Sequence, residues 1–148
     1  MERTLASPRS RGPAPVAGDE RAPLRDGADV LLCPVVSSSG ETAVVTAIDA
    51  LGRPVGRGAF LRVYGPRADL TLEVDEQLWH LGLPDALVDA LRAIAARLGI
   101  STLLARVPAS DVRLLALLCE RFGAREVRDG ELVHAELKTA PQPWPDGR

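Results

Sequence analysis

A chain of 148 residues suits one domain with ends to spare. Hydrophobic residues make up 46% of it and aromatics only 3%, so a core is expected that Leu, Val and Ala must fill. A formal net charge of −2 excludes any global pull toward nucleic acid or an anionic membrane. Only one of the 18 basic residues is a lysine, Lys138, a bias that fits a GC-rich bacterial genome. Cys33 and Cys119 lie far apart and form no CxxC pair, so two free thiols in a cytoplasmic protein are expected. Met1 to Gly27 holds no apolar stretch of secretory length, and no run approaches the ~18 apolar residues of a membrane helix.

Residues 1–28 mix Arg, Pro, Gly, Ala and acids without period, and Pro8, Pro13, Pro15 and Pro23 exclude a helix. A disordered arm is expected there, and a second disordered tail over residues 139–148, where Pro141, Pro143 and Pro145 surround Trp144. Between them, residues 29–138 read as a folded domain. Val30–Val36 is a short apolar strand, and Ser37 to Gly40 is a turn. Thr42–Asp49 is rich in Val, Thr and Ile and predicts a second strand. Gly52 turns the chain into a third, Val55–Val63, with Gly56 and Gly58 fitting a hairpin and a strand bulge. After Gly65-Pro66, Leu70, Leu72 and Val74 alternate with Asp69, Thr71 and Glu73, which predicts a strand with one buried face.

Pro84–Leu98 predicts a helix, with Leu87, Leu91, Ile94 and Leu98 on one face, Pro84 at its first position and Gly99 at its end. Thr102–Val107 is a further strand. Ser110 or Asp111 caps a second helix with Leu114, Leu115, Leu118 and Phe122 inward, stopped by Gly123. Glu126–Arg128 and Leu132–Leu137 pair across Asp129-Gly130. The order β-β-β-β-α-β-α-β-β predicts an α/β (α+β) fold: a mixed, mainly antiparallel sheet of six to seven strands with two main helices.

From about Thr42 to Leu137 this order resembles the GNAT superfamily of N-acetyltransferases. It is most similar in style to the acetyltransferase domain of protein lysine acetyltransferases fused to acyl-CoA synthetases. The strand Ala68-Asp69-Leu70-Thr71-Leu72-Glu73-Val74 stands where the family has roughly AELxVVV. Trp79-His80-Leu81-Gly82-Leu83-Pro84 stands at the loop Q/R-x-x-G-x-G/A. Leu114–Phe122 with Gly123 matches a helix ending in Gly-Phe.

The resemblance implies an N-acyltransferase with acetyl-CoA, or another acyl-CoA, as cofactor and a small-molecule or protein amine as acceptor. Gly82, the amides of Trp79, His80 and Leu83, and the ring of Pro84 would face the pyrophosphate, at a helix start whose dipole favours anions. The backbone of Leu72 and Val74 would hold the pantetheine arm. Asp69 or Glu73 would be the base, and Cys119 stands where the family has a tyrosine acid. The loop departs from the family: Trp79 replaces a cation or amide, and Pro84 has no N–H. The stretch from Val36 to Thr42 leaves room for a turn where the family inserts two helices that help form the acceptor site.

Each residue also has a structural reading. Gly82-Leu83-Pro84 makes a tight turn into a helix, His80 is a surface histidine, Asp69 and Glu73 form a solvent face, and Cys119 packs in a core. On that reading the chain is a catalytically inactive GNAT-like module that binds or regulates a protein, through a homodimer or a partner. Leu78, Trp79, Leu81 and Leu83 would then form an exposed apolar patch. Neither His80 nor His134 has Cys or Asp at metal spacing, so no metal is expected. No Gly-Lys-Ser/Thr follows the glycines near Gly56, and no Gly-x-Ser-x-Gly is present.

Overall fold

The computed structural model describes residues 18–139. Its elements are β1 (Glu20–Pro23), β2 (Asp29–Val36), β3 (Thr42–Ile48), β4 (Pro54–Tyr64), β5 (Arg67–Val74), a 3-10 turn (Glu76–Leu81), α1 (Leu83–Arg97), β6 (Thr102–Pro108), α2 (Val112–Ala116) running on into a π turn (Leu117–Arg121), β7 (Arg125–Asp129) and β8 (Leu132–Lys138). One eight-stranded sheet orders them β1-β2-β3-β4-β5-β6-β8-β7. Every neighbouring pair is antiparallel except β5 with β6.

The sheet has more strands than the six to seven expected, and the extra strand comes from the arm expected to be disordered. Glu20–Pro23 pairs with Asp29–Leu32 at the sheet edge. Pro23 forbids a helix, but an edge strand tolerates it because no partner needs its missing N–H. Ala22 and Leu24 are both buried, which ties this short segment down. The first residue of the expected tail is also inside the fold: Thr139 is buried, and its hydroxyl donates to the Ile100 carbonyl at 2.6 Å. The rest of the arm and tail, residues 1–17 and 140–148, lie outside the described residues.

Helix α1 carries the core. Leu87, Val88, Leu91, Ile94 and Ala95 are buried along one stripe, as the sequence period predicts. They press onto β3, β4 and β5. Gly52 turns the β3–β4 hairpin with φ at 82°, and the register shifts between Ala47 and Ile48, beside Gly56. Gly58 has a different reason from the expected bulge. A Cβ there would stand 2.6 Å from Leu91 Cδ1 and 2.9 Å from Leu72 Cδ2, so its bare backbone is what lets α1 sit so close to β4.

The second helix is shorter than expected. Asp111 caps it, its side chain accepting from the Leu114 amide at 3.2 Å. Removing that acceptor in Asp111→Ala is expected to lower stability by about 1 kcal/mol, read from the urea midpoint. After Ala116 the backbone widens into the π turn, and Leu115, Leu117 and Leu118 supply the buried side chains.

Both helices lie on one face of the sheet. Gly58 and Leu72 are register partners, and so are Phe60 and Leu70. α1 packs on that row of β4, and α2 reaches Leu70 and Leu72 from the same side. Across the two helices, Arg121 pairs with Asp85 and Arg92 lies 5.5 Å from the Phe122 ring centre. This follows from two successive crossovers, β5-α1-β6 and β6-α2-β7, both moving in one direction across the sheet with the usual hand. The opposite face has no helix among the described residues, because β2 joins β3 through a tight turn. In that turn Ser37 N–H donates to Thr42 C=O at 2.9 Å and Gly40 N–H to Ser37 C=O at 2.9 Å. Val35, Leu61 and Val63 are consequently exposed.

Candidate active site

Strands β5 and β6 run together for three pairs only, Arg67 with Thr102, Ala68 with Leu103 and Asp69 with Leu104. Beyond these they part. β5 stays registered with β4 as far as Val74, and β6 stays registered with β8 as far as Pro108. Each strand follows its outer antiparallel partner. The result is a wedge closed at Asp69 and opening toward the start of α1. On the helix face the wedge is a cleft of about 150 Å³, floored by Leu70, Leu72, Ala105 and Val107 and roofed by Leu114 and Leu118. Along it, the β5 edge toward β6 has main-chain groups with no ladder partner, free to meet a ligand.

Asp69 stands at the vertex. One carboxylate oxygen, Oδ2, accepts from Arg106 Nη1 at 2.8 Å. The other, Oδ1, is buried and has no hydrogen-bond partner among the described residues. An acceptor removed from water and left open is costly, so the position fits one that a substrate or solvent donor completes. Glu73, the other candidate base, is exposed four residues further along the same strand. It opens instead into a basin of about 480 Å³ with Thr46 and Arg57, its register partner. Val74 lines that basin too, while Leu72 lines the cleft. At roughly 3.4 Å per residue, Glu73 is about 14 Å along the strand from the vertex.

Cys119 is not among the residues that line the cleft. Burial first, then a hydrogen bond to Glu126, pushes its thiol up to about 11. The π turn brings Leu114 and Leu118 to the cleft and leaves Cys119 beside β7.

The segment read as a cofactor loop is mostly helical. Glu76–Leu81 winds as a 3-10 turn, and only Gly82, with φ at 94°, breaks out to start α1. That φ is in the left-handed region, where glycine is favoured. Leu83 and Pro84 are buried in the first turn of α1, so they serve the core. With Leu83 buried and Leu78, Trp79 and Leu81 half-buried against the core, the exposed apolar patch expected there does not exist.

The surroundings of this turn are richer than its own sequence. Arg113 of α2 lies over the Trp79 ring, 4.2 Å from its centre, and holds Glu76 with both terminal nitrogens, Nη2 to Oε1 at 3.1 Å. That bond keeps the Glu76 carboxyl below its ordinary value. From the N-terminal segment, Arg25 N–H donates to Leu81 C=O at 3.0 Å, and Arg25 Nη1 donates to His80 C=O at 2.6 Å. Sequence reasoning missed Arg25, Arg106 and Arg113. Each lies more than 30 positions from its partner, and no local spacing announces such a pair.

No protein-family model and no curated protein matches the sequence. Solved structures do match. The GNAT domain of PAT from S. lividans superposes with a TM-score of 0.73 at 14% identity, over 86% of this chain and 99% of that one. A cAMP-binding acyltransferase from Mycobacterium smegmatis gives 0.70 at 19%, over 85% of this chain and 48% of that one, so the chain spans about half its length. PaiA N-acetyltransferase from Thermoplasma acidophilum, solved in complex with coenzyme A, gives 0.62 at 17%, over 68% and 63%. The chain has the GNAT fold. No helix among the described residues is long and apolar enough to cross a membrane.

Proposed function

We propose that this protein is a GNAT-type N-acyltransferase that takes an acyl-CoA, acetyl-CoA first among them, and passes the acyl group to an amine. The observation that carries this reading is the wedge between β5 and β6, with a carboxylate at its vertex that has one open, buried oxygen. An apolar, roughly linear acyl-pantetheine arm suits the Leu70, Leu72, Ala105, Val107 floor, with its amides meeting the unladdered edge of β5. Its acyl end then reaches the vertex. The amine approaches from the helix-free face, where Asp69 takes its proton directly or through one water. The amine nitrogen attacks the thioester carbonyl. Main-chain N–H groups of β5 hold the oxyanion, and the C–S bond breaks to release coenzyme A thiolate, which solvent protonates. Asp69 rather than Glu73 takes the role of base in this reading because only Asp69 stands at the vertex.

A thermal-shift titration with acetyl-CoA tests this. Ligand at about 100 times its dissociation constant adds about 2.7 kcal/mol. At about 4 °C per kcal/mol for a domain of this size, the midpoint is expected to rise by about 10 °C. A flat response at millimolar acetyl-CoA removes the proposal. It would leave the second reading, a non-catalytic module, which the exposed Val35, Leu61 and Val63 on the helix-free face favour.

A further inference from the structure

Three guanidinium groups from two distant parts of the chain meet at the N-terminal end of α1. We propose that Arg25, Arg113 and Arg121 form a diphosphate-binding pocket that replaces the cation missing from the Trp79–Gly82 turn. The proposal rests on the acyl-CoA reading and specifies which residues hold the anionic part of that ligand.

A cavity of about 210 Å³ opens beside the turn, and all three arginines line it together with Trp79, His80 and Asp85. None of the three belongs to the turn or to α1. Arg25 arrives from the segment after β1. It is anchored twice, by its own N–H on Leu81 C=O and by Nη1 on His80 C=O, and its Nε lies 3.9 Å from where a Cβ on Gly82 would stand. Arg113 lies over the Trp79 ring and holds Glu76. Arg121 approaches Asp85 Oδ2 to 2.8 Å, out of line for a hydrogen bond. Trp79, which cannot bind phosphate as a cation does, here serves as the platform that orients one.

The helix start by itself is a poor anion site. Pro84 removes one of its first-turn donors. The arginines supply what it lacks. Their present partners, Glu76 and Asp85, do not forbid this. Both pairs involve partly exposed side chains, and such pairs are weak. A guanidinium has five N–H donors, and neither pairing uses more than two. A diphosphate brings more charge and more acceptors than either carboxylate, and it can engage all three forks at once. Glu120, also on the cavity wall, opposes the anion, but three arginines outweigh it; because salt screens their attraction, affinity is expected to fall with added salt.

Calorimetric titration of the full chain with inorganic pyrophosphate and, separately, with acetyl-CoA tests the pocket. Each is repeated on Arg25→Gln, Arg113→Gln and Arg121→Gln, with circular dichroism as the check on folding. Pyrophosphate is expected to bind, to compete with acetyl-CoA, and to lose about tenfold in affinity in each variant, the scale of one lost charge-assisted hydrogen bond. Arg113→Lys keeps the charge and is expected to recover part of that loss. If a folded triple variant binds acetyl-CoA as the natural chain does, the pocket is overturned while the acyltransferase reading stands. If pyrophosphate binds through these arginines and acetyl-CoA does not bind at all, the pocket stands and the acyltransferase reading falls. Binding of neither overturns both.

Discussion

Asp69→Asn is expected to lower kcat/KM for amine acylation by about 10²- to 10⁴-fold, the usual contribution of a positioned base, while leaving acetyl-CoA affinity near its natural value. Asn keeps the size and the oxygen that Arg106 holds at 2.8 Å, so the strand geometry at the vertex should survive. What it loses is the ability to take a proton at the buried, unpartnered Oδ1. The loss should appear in kcat, because the carboxylate acts on the acceptor and the cofactor lies along the cleft. Glu73→Gln is the companion measurement. Glu73 opens into the basin with Thr46 and Arg57, away from the vertex, so its replacement is expected to cost much less. The reverse ranking, with Glu73→Gln the more damaging, would move the base from Asp69 to Glu73.

The largest effects on stability are expected where α1 meets β4. Leu91 is fully buried, and its Cδ1 fills the space a side chain at position 58 would need. Leu91→Ala should cost about 2–5 kcal/mol through lost burial and the cavity left behind. Gly58→Ala should cost about 1–3 kcal/mol for the opposite reason, an atom forced to within 2.6 Å of Leu91 Cδ1 and 2.9 Å of Leu72 Cδ2. The two errors compensate. In the double variant the added methyl enters space that Leu91 vacates, so the combined loss should fall clearly short of the sum, as a double-mutant cycle in urea can read. Strict additivity would show that α1 does not rest on Gly58.

The elements from β2 to β8 were legible because each carries its own period. Alternation in Asp69 to Val74, the stripe Leu87, Leu91, Ile94 and the Asp129-Gly130 turn are local signals, set by covalent geometry within a few residues. The mixed, mainly antiparallel sheet follows from the order of those elements and the hand of crossovers. Asp69 was legible as a candidate by its position on β5, and so was the turn at Gly82. What the sequence did not show was that Asp69 and Glu73, on one strand, have different surroundings, or that Leu118 lines the cleft and Cys119 does not. In each pair the residues sit on one element, and only the partners of that element decide what each of them faces.

The sequence by itself therefore determined the alternation of strands and helices, the buried stripe of α1 and the absence of helices between β2 and β3. The tertiary structure alone decided the rest. It turned part of an unpatterned, proline-containing arm into an edge strand and an arginine anchor, because burial of Ala22 and Leu24 outweighs a weak local preference. It set the parting of β5 from β6 through their separate pairings with β4 and β8. It gathered Arg25, Arg113 and Arg121 around one cavity with Trp79, His80 and Asp85, and Arg106 against Asp69. Contacts between residues tens of positions apart leave no period in a sequence. They exist only once the chain has closed its core.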